Sequence, residues 1–195
     1  MQIAYNKSKR TDKILYIVIH DTGNKGKDAD ANAHFNYFNS ADRQSSADIF
    51  VDDKGALKVN DYLKFYTWHC GDGKGRNGIT NNNSIGVEIC INSDGDYNKA
   101  FNNAVLCVKT LMNELNIPNE RVVRHFDASG KLCPASMSQN DWAVWKSFKE
   151  KLIESDEDLI KREADLSDET IKYLKEYTYG NDLIRKLANA IKKRA

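Results

Sequence analysis

The sequence lacks several features that would assign it to a class of protein at once. No apolar run approaches the roughly 18 residues of a membrane-spanning helix, so membrane insertion is not expected. The 29 basic and 28 acidic residues leave a formal net charge of +1. This balance gives no electrostatic indication of nucleic acid or of an anionic membrane as a partner. The first 13 residues contain basic side chains but no long apolar segment, so a secretory signal peptide is not expected either.

Closely spaced cysteine pairs are also absent. The four cysteines are Cys70, Cys90, Cys107 and Cys133, and no Cys-x-x-Cys pair occurs, which excludes the common patterns of structural zinc sites. Because the cysteines are sparse and no secretion signal precedes them, we expect them to be reduced. We therefore expect synthesis in the cytoplasm, and any action outside the cell would require another agent to release the protein.

Apolar runs and helical periodicities do occur over residues 14–153. Strands are predicted where short runs are apolar and rich in β-branched residues, namely at residues 14–19, 85–91 and 121–124, with a hairpin over 49–59. Helices are predicted where apolar residues recur at helical spacing, at residues 28–39, 98–115 and 141–153. In the strand at 85–91, alternation places Glu88 on the face opposite the isoleucines.

The composition changes after Leu152. Residues 155–195 contain no proline, no cysteine and a single glycine, and they are highly charged. Helix-start signals at Ser155 and Ser167, and a stop signal at Gly180, predict three short helices with enough apolar positions for a small shared core. Such a core is marginal on its own.

Two histidines and one cysteine offer a set of metal ligands. His20 ends an apolar run, while His125 and Cys133 lie on one short segment with Gly130 between them. Zinc accepts this mixture of nitrogen and sulfur ligands, and three protein ligands leave a fourth position open, as in catalytic zinc sites. The alternatives are hydrogen-bonded histidines without a metal and a buried thiol that only packs.

Five segments carry a resemblance to one family. They are His20-Asp21-Thr22, Ser45-Ser46-Ala47, Trp68-His69-Cys70-Gly71, Asn83-Ser84-Ile85-Gly86-Val87-Glu88-Ile89, and Arg124-His125-Phe126-Asp127 followed by Gly130-Lys131-Leu132-Cys133-Pro134. In order and spacing they resemble the type 2 N-acetylmuramoyl-L-alanine amidases, which include phage endolysins, autolysins and peptidoglycan recognition proteins. The resemblance covers about residues 12–152 and is strongest to the phage and prophage endolysin branch.

The resemblance implies a fold, a cofactor and a reaction. The implied fold is α/β, with a mixed central β-sheet that carries helices on one face and a substrate groove on the other, followed by a small all-helical C-terminal segment. Zn²⁺ would be held by His20, His125 and Cys133. The substrate would be bacterial peptidoglycan, cut at the amide between N-acetylmuramic acid and L-alanine. Residues 1–154 would form the catalytic domain, and residues 155–195 a module for cell-wall binding or for homodimerisation.

Further residues receive roles from the same resemblance. Glu88 is the expected general base and Lys131 the expected donor to the oxyanion, each with a solvent-facing side chain as the alternative. His69, Trp68 and Asn83 are expected to contact substrate. Asp48 replaces a histidine found in many relatives, and two roles stay open for it: orienting a ligand histidine, or a plain charge at a strand edge.

Two other functions remain as alternatives. A peptidoglycan-binding module that does not cut would typically lack the cysteine ligand, whereas Cys133 is present here. A cytosolic amidase that recycles wall fragments fits the expected absence of a signal peptide as well as an endolysin does. The C-terminal helices favour the endolysin, which would reach the wall after holin-type release or lysis.

Overall fold

The structure, a computed structural model, describes residues 1–194 and the side chains of residues 1–191. The strands are β1 (Lys7–Lys9), β2 (Tyr16–Asp21), β3 (Ile49–Asp52), β4 (Gly55–Lys58), β5 (Phe65–Thr67), β6 (Ser84–Ile89) and β7 (Val122–Arg124). The α-helices are α1 (Ala31–Ser40), α2 (Tyr97–Leu115), α3 (His125–Ser129), α4 (Gln139–Ile153), α5 (Asp156–Ala164), α6 (Asp168–Glu176) and α7 (Gly180–Arg194).

The central sheet has five strands in the order β4-β3-β6-β2-β7. β2 lies between β6 and β7 and is parallel to both, and β3 is parallel to β6. The hairpin partner β4 is antiparallel to β3, so the sheet is mixed. β1 and β5 form a separate antiparallel pair that the sequence patterns did not predict.

One face of this sheet carries the main hydrophobic core. The inward residues of β2 and β6, such as Ile17 and Val87, are completely buried there. They belong to one cluster with Phe101 of α2 and with Trp145 and Phe148 of α4. The two helices therefore cover this face, as the predicted fold required.

The opposite face is only partly covered. Phe50 of β3 lies in register with Glu88 of β6, so both side chains are on the second face. There Phe50 packs in a cluster with Ala31 of α1. The expectation of helices on one face alone is thus refined: α1 packs on the second face beside Glu88, and the remainder of that face is available for a site.

The chain divides into two compact units, one of residues 1–152 and one that begins at Ile153. The second unit has its own small core, made of Leu159 and Ile160 of α5, Ile171 of α6, and Ile184 and Ala188 of α7. Ser155 and Ser167 cap α5 and α6, accepting hydrogen bonds from Asp158 N and Thr170 N.

Most predicted elements are present with shifted ends. β2 runs to Asp21 rather than ending before His20, and a short helix that was not predicted, α3, begins at His125. The four cysteines are unpaired. Within the described residues, no helix combines the length and the apolar character needed to cross a membrane.

Candidate metal centre and active site

Three adjacent parallel strands position the central residues of the site. His20 of β2 is the register partner of Glu88 of β6, so their side chains lie side by side on the second face. On the other side of β2, Ile19 pairs with Arg124, the last residue of β7. The next residue is His125, which begins α3 beside His20. The site is therefore built where β6, β2 and β7 end.

The segment after His125 folds back to bring Cys133 to the same place. Gly130 ends α3 with φ of 87°, a left-handed conformation that favours glycine. Phe126 N then donates to Cys133 O at 2.9 Å, which closes the loop. His20, His125 and Cys133 are all buried, and one ligand atom from each lies within 4.8 Å of the others.

Two of the three distances between the ligand atoms suit one zinc ion. Nδ1 of His20 lies 3.1 Å from Nδ1 of His125 and 3.8 Å from Sγ of Cys133. Zinc bond lengths of about 2.05 Å to nitrogen and 2.3 Å to sulfur, at tetrahedral angles, give separations of roughly 3.3 Å and 3.6 Å. The observed distances agree with these values to a few tenths of an ångström.

Partners on the far side of each ring fix the direction of the ligand nitrogens. His125 Nε2 lies 2.7 Å from Asp72 Oδ1, and His20 Nε2 lies 3.1 Å from His69 Nδ1. The Asp72 carboxylate accepts, so the neutral His125 ring carries its hydrogen on Nε2 and a lone pair on Nδ1. That lone pair faces the other two ligand atoms. Such outer partners are typical of histidines that ligate metals.

Glu88 borders this cluster. Its Oε1 lies 3.8 Å from His20 Nδ1, while its Oε2 is buried and has no hydrogen-bond partner. Burial, followed by the nearby charge of Asp21, raises the pKa of Glu88 to about 8. A carboxylate that borders three convergent ligand atoms and has one oxygen without a partner is the arrangement expected of a group that acts on water held there.

Burial dominates the electrostatics of the other groups. It lowers the pKa of His20 well below its usual value and raises that of the Cys133 thiol to about 12. Burial opposes ionisation of Asp72 as well, but its hydrogen bond and charge interaction with His125 lower its pKa overall.

Two cavities adjoin the centre. One, of about 350 Å³, borders His125 and is lined by Gln44, Ser45, Trp68, His69, Gly71, Asp72, Asn81, His125 and Lys131. The other, of about 390 Å³, borders Glu88 and is lined by Thr22, Asn24, Ala29, Ala33, His34, Tyr37, Phe38, Phe50 and Glu88. The first is polar and charged, and the second has aromatic walls.

Comparison with known proteins shows the family of the chain. Residues 10–136 match the family model described as N-acetylmuramoyl-L-alanine amidase. The chain belongs to this amidase family. Among curated members, it is 40% identical to the N-acetylmuramoyl-L-alanine amidase CwlH of Bacillus subtilis over 141 residues, which are 72% of this chain and 54% of that protein. It is 43% identical to XlyA of the same species over 137 residues, 69% of this chain and 43% of that protein.

Solved structures give the same family fold. The catalytic domain of XlyA is 40% identical, with a TM-score of 0.67 over 75% of this chain and 91% of that one. The PlyG catalytic domain is 38% identical, with a TM-score of 0.63 over 78% of this chain and 93% of that one. The fold predicted from the family resemblance is confirmed. The chain spans only about half the length of the curated amidases it matches.

The residues predicted to touch substrate are placed differently from one another. Trp68 is exposed and lines the cavity beside His125, with its Nε1 donating to Ser8 Oγ at 3.2 Å. His69 lines the same cavity but is buried. Asn83 uses both ends of its amide within its own loop, donating to Gly78 O and accepting from Thr80 N. It is not among the residues that line either cavity, so a substrate contact by Asn83 stays a prediction.

Two groove residues of this amidase-family chain were missed by the sequence patterns. Asn81 Oδ1 accepts hydrogen bonds from His69 N at 3.0 Å and from Cys70 N at 2.8 Å, and Asp72 holds His125. Both lie within residues 71–83, a stretch rich in glycine and asparagine. The sequence signal that could have identified them is the presence of a carboxylate and an amide side chain within that stretch.

Asp48 fits neither of the roles left open for it. It is completely buried rather than at a strand edge, and its hydrogen-bond partners do not include a ligand histidine. Its carboxylate accepts from Asn60 Nδ2 at 2.7 Å, Thr67 Oγ1 at 2.9 Å and Gly86 N at 2.8 Å. Asp48 therefore ties β3 to β5 and β6 beneath the site.

Proposed function

We propose that the protein is a zinc-dependent N-acetylmuramoyl-L-alanine amidase that cuts the amide between the lactyl group of N-acetylmuramic acid and L-alanine in bacterial peptidoglycan. One observation carries the proposal: three buried ligand atoms converge beside Glu88, whose second carboxylate oxygen has no partner. The names of the related Bacillus amidases support the choice of substrate.

His20, His125 and Cys133 would hold the zinc, with His69 and Asp72 behind the two rings. A bound zinc ion supplies a Lewis acid that polarises the scissile carbonyl and makes water more acidic. Glu88 would accept a proton from the attacking water at its free carboxylate oxygen. It would return that proton to the nitrogen of L-alanine as the carbon–nitrogen bond breaks, leaving a lactyl carboxylate and a free amine.

Lys131 would stabilise negative charge on the former carbonyl oxygen. It is exposed and lines the cavity that borders His125. An ammonium group at that wall would be attracted to the oxyanion as it forms, and would contribute most in the transition state. Its position in the wall also allows it to draw an anionic substrate towards the centre.

The presence of Cys133 in the ligand cluster favours hydrolysis over binding alone. A module that only recognises peptidoglycan has no need for three convergent metal ligands next to a carboxylate. Action on the wall after release from the cytoplasm is the setting we propose for this activity.

The test is digestion of purified cell walls, with new N-terminal alanine counted. Glu88→Gln should lower the rate by about 10²- to 10⁴-fold, the usual contribution of a general base, and keep its zinc. His125→Ala should lose both activity and zinc. Glu114→Gln, a change at an exposed glutamate of α2, is the matched control and should match wild type. Equal release of alanine by wild type and His125→Ala would refute the proposal.

For the C-terminal unit we propose binding to intact walls, with homodimerisation as the competing role. Three tyrosines of the unit are largely exposed: Tyr173 at 70%, Tyr177 at 67% and Tyr179 at 74%. Aromatic rings with a polar tip are suited to carbohydrate and interface contacts. Light scattering of the full chain separates the two roles, since only dimerisation doubles the mass.

A further inference from the structure

A buried chain of hydrogen bonds runs from the ligand His20 to a backbone carbonyl. His20 Nε2 lies 3.1 Å from His69 Nδ1, and His69 Nε2 lies 3.1 Å from Ser84 Oγ. Ser84 Oγ donates in turn to Thr80 O. His20, His69 and Ser84 are all buried, so water does not compete for these bonds.

The carbonyl at the end of this chain determines the direction of every bond in it. Thr80 O can only accept, and Ser84 has a single hydroxyl hydrogen, which it spends on that carbonyl. Ser84 must then accept from His69, so the hydrogen of the neutral His69 ring is on Nε2. His69 Nδ1 is left as an acceptor for the hydrogen on His20 Nε2. The neutral His20 ring therefore presents a lone pair at Nδ1, the atom that faces His125 and Cys133.

The reverse direction is incompatible with ligation. If His69 donated from Nδ1, His20 would carry its hydrogen on Nδ1 and could not bind a metal through that atom. Ser84 would also have to donate to His69 Nε2 and abandon Thr80 O.

The surroundings are shaped to hold His69 in this place. A Cβ added at Gly86 would lie 2.6 Å from His69 Cγ, so only glycine leaves room for the ring there. Asn81 Oδ1 accepts from the backbone N of His69 and fixes the segment that carries it. Both nitrogens of His69 are engaged, so any part it takes in the groove is through the ring surface.

We propose that His69 is a positioning residue which, with Ser84 and the Thr80 carbonyl, holds His20 in the tautomer that presents Nδ1 to the metal before any metal arrives. The inference rests on the proposed zinc site and extends it. It gives the two ligand histidines different outer partners. His125 has the Asp72 carboxylate, and His20 has the neutral chain of His69, Ser84 and the Thr80 carbonyl, which we call the relay. Outer partners of this kind typically contribute 10- to 100-fold to metal affinity.

The first test uses the metal-free wild-type protein. Nitrogen-15 chemical shifts of the histidine side chains report which ring nitrogen carries hydrogen, and they are read without any activity assay. We expect His20 to carry its hydrogen on Nε2 in the absence of zinc. A hydrogen on His20 Nδ1, or an even mixture of the two tautomers, would overturn the inference.

The second test measures zinc affinity by competition with a chromophoric chelator. His69→Phe keeps a ring in the space above Gly86 but removes both nitrogens, and should weaken zinc binding by about 10- to 100-fold. His69→Asn can place an amide oxygen near the position of Nδ1 and should recover part of that loss. His34→Phe is the control, because His34 is also a buried histidine but belongs to the neighbouring cavity. It should bind zinc as wild type does.

The outcomes separate this inference from the proposed function. Wild type that takes up no zinc would refute the proposed function, while the tautomer measurement would still decide the relay. Wild type and His69→Phe with equal zinc affinity would refute the relay and leave the zinc site standing. Should His69→Phe fail to fold, Ser84→Ala removes the anchor instead, and its metal-free His20 should show a mixture of tautomers.

Discussion

Replacement of Asp48 is the sharpest test of how the sheet supports the site. This carboxylate is completely buried and accepts hydrogen bonds from the side chains of Asn60 and Thr67 and from the backbone N of Gly86. Asp48→Ala would remove all three acceptor contacts at once. Asn60 keeps a second bond, to Phe65 O, whereas among the described residues Thr67 Oγ1 and Gly86 N donate only to Asp48.

The expected loss in the free energy of unfolding follows from those two donors, Thr67 Oγ1 and Gly86 N. A buried donor left without a partner costs about 1–3 kcal/mol, so two of them cost roughly 2–6 kcal/mol. Removing the carboxylate also removes the cost of burying it, which is the reason that burial raises the pKa of Asp48. We therefore expect Asp48→Ala to lower the free energy of unfolding by about 2–4 kcal/mol, and Asp48→Asn, which keeps an acceptor oxygen, to lower it by less.

Urea unfolding at pH 7 measures this difference, with Glu150→Ala, a change at an exposed carboxylate of α4, as the control for lost charge. The control should stay within about 0.5 kcal/mol of wild type. A loss below 1 kcal/mol for Asp48→Ala would refute the reasoning.

Because its pKa is raised on folding, the ionisation of Asp48 should make wild type lose stability as pH rises from the ordinary aspartate value to the folded one. Asp48→Asn should lack that component.

Three further predictions concern other parts of the chain. Phe148→Ala, at a fully buried ring packed on Phe101 and Trp145, should cost about 3–5 kcal/mol in urea unfolding, and a loss under 1 kcal/mol would contradict the packing described. Burial lowers the pKa of Lys149 to about 8. The unfolded chain binds the extra proton between about pH 8 and 10, so stability should rise across that interval in wild type and not in Lys149→Met. Residues 1–154 alone should hydrolyse soluble wall fragments but bind intact walls less well than the full chain in a pull-down assay. Equal wall binding by both would reject the proposed role of the C-terminal unit.

Local patterns were sufficient to predict most elements. The apolar runs at residues 14–19 and 85–91 and the helical spacing at 98–115 correspond to β2, β6 and α2. Helix-cap chemistry at Ser155 and Ser167 placed the starts of α5 and α6, because a serine side chain satisfies a free N–H of the first turn. These signals depend only on neighbours along the chain.

The missed features depend on partners distant in sequence. β1 and β5 are three residues each and have no apolar alternation that would mark them in the sequence. They become strands because residues 7–9 pair with residues 65–67, far along the chain. In its local sequence Asp48 is only a charged residue. Two of the groups that donate to its carboxylate, Thr67 Oγ1 and Gly86 N, are 19 and 38 residues away. Asp72 and His69 likewise acquire their roles only when the Gly-rich stretch folds against β2 and α3.

The location of the centre follows from strand order more than from any loop. His20, Glu88 and His125 come from, or directly follow, three neighbouring parallel strands, with β2 between the other two. Since parallel strands end at the same edge, residues 20, 88 and 125 are brought together by register alone. Groups fixed on strands are held more accurately than groups on loops. The one member of the candidate metal centre outside this frame is Cys133, and its loop is closed by a bond from Phe126 N to Cys133 O. A change that lengthens residues 126–132 should therefore lower zinc affinity while leaving the pairing of His20 with Glu88 intact.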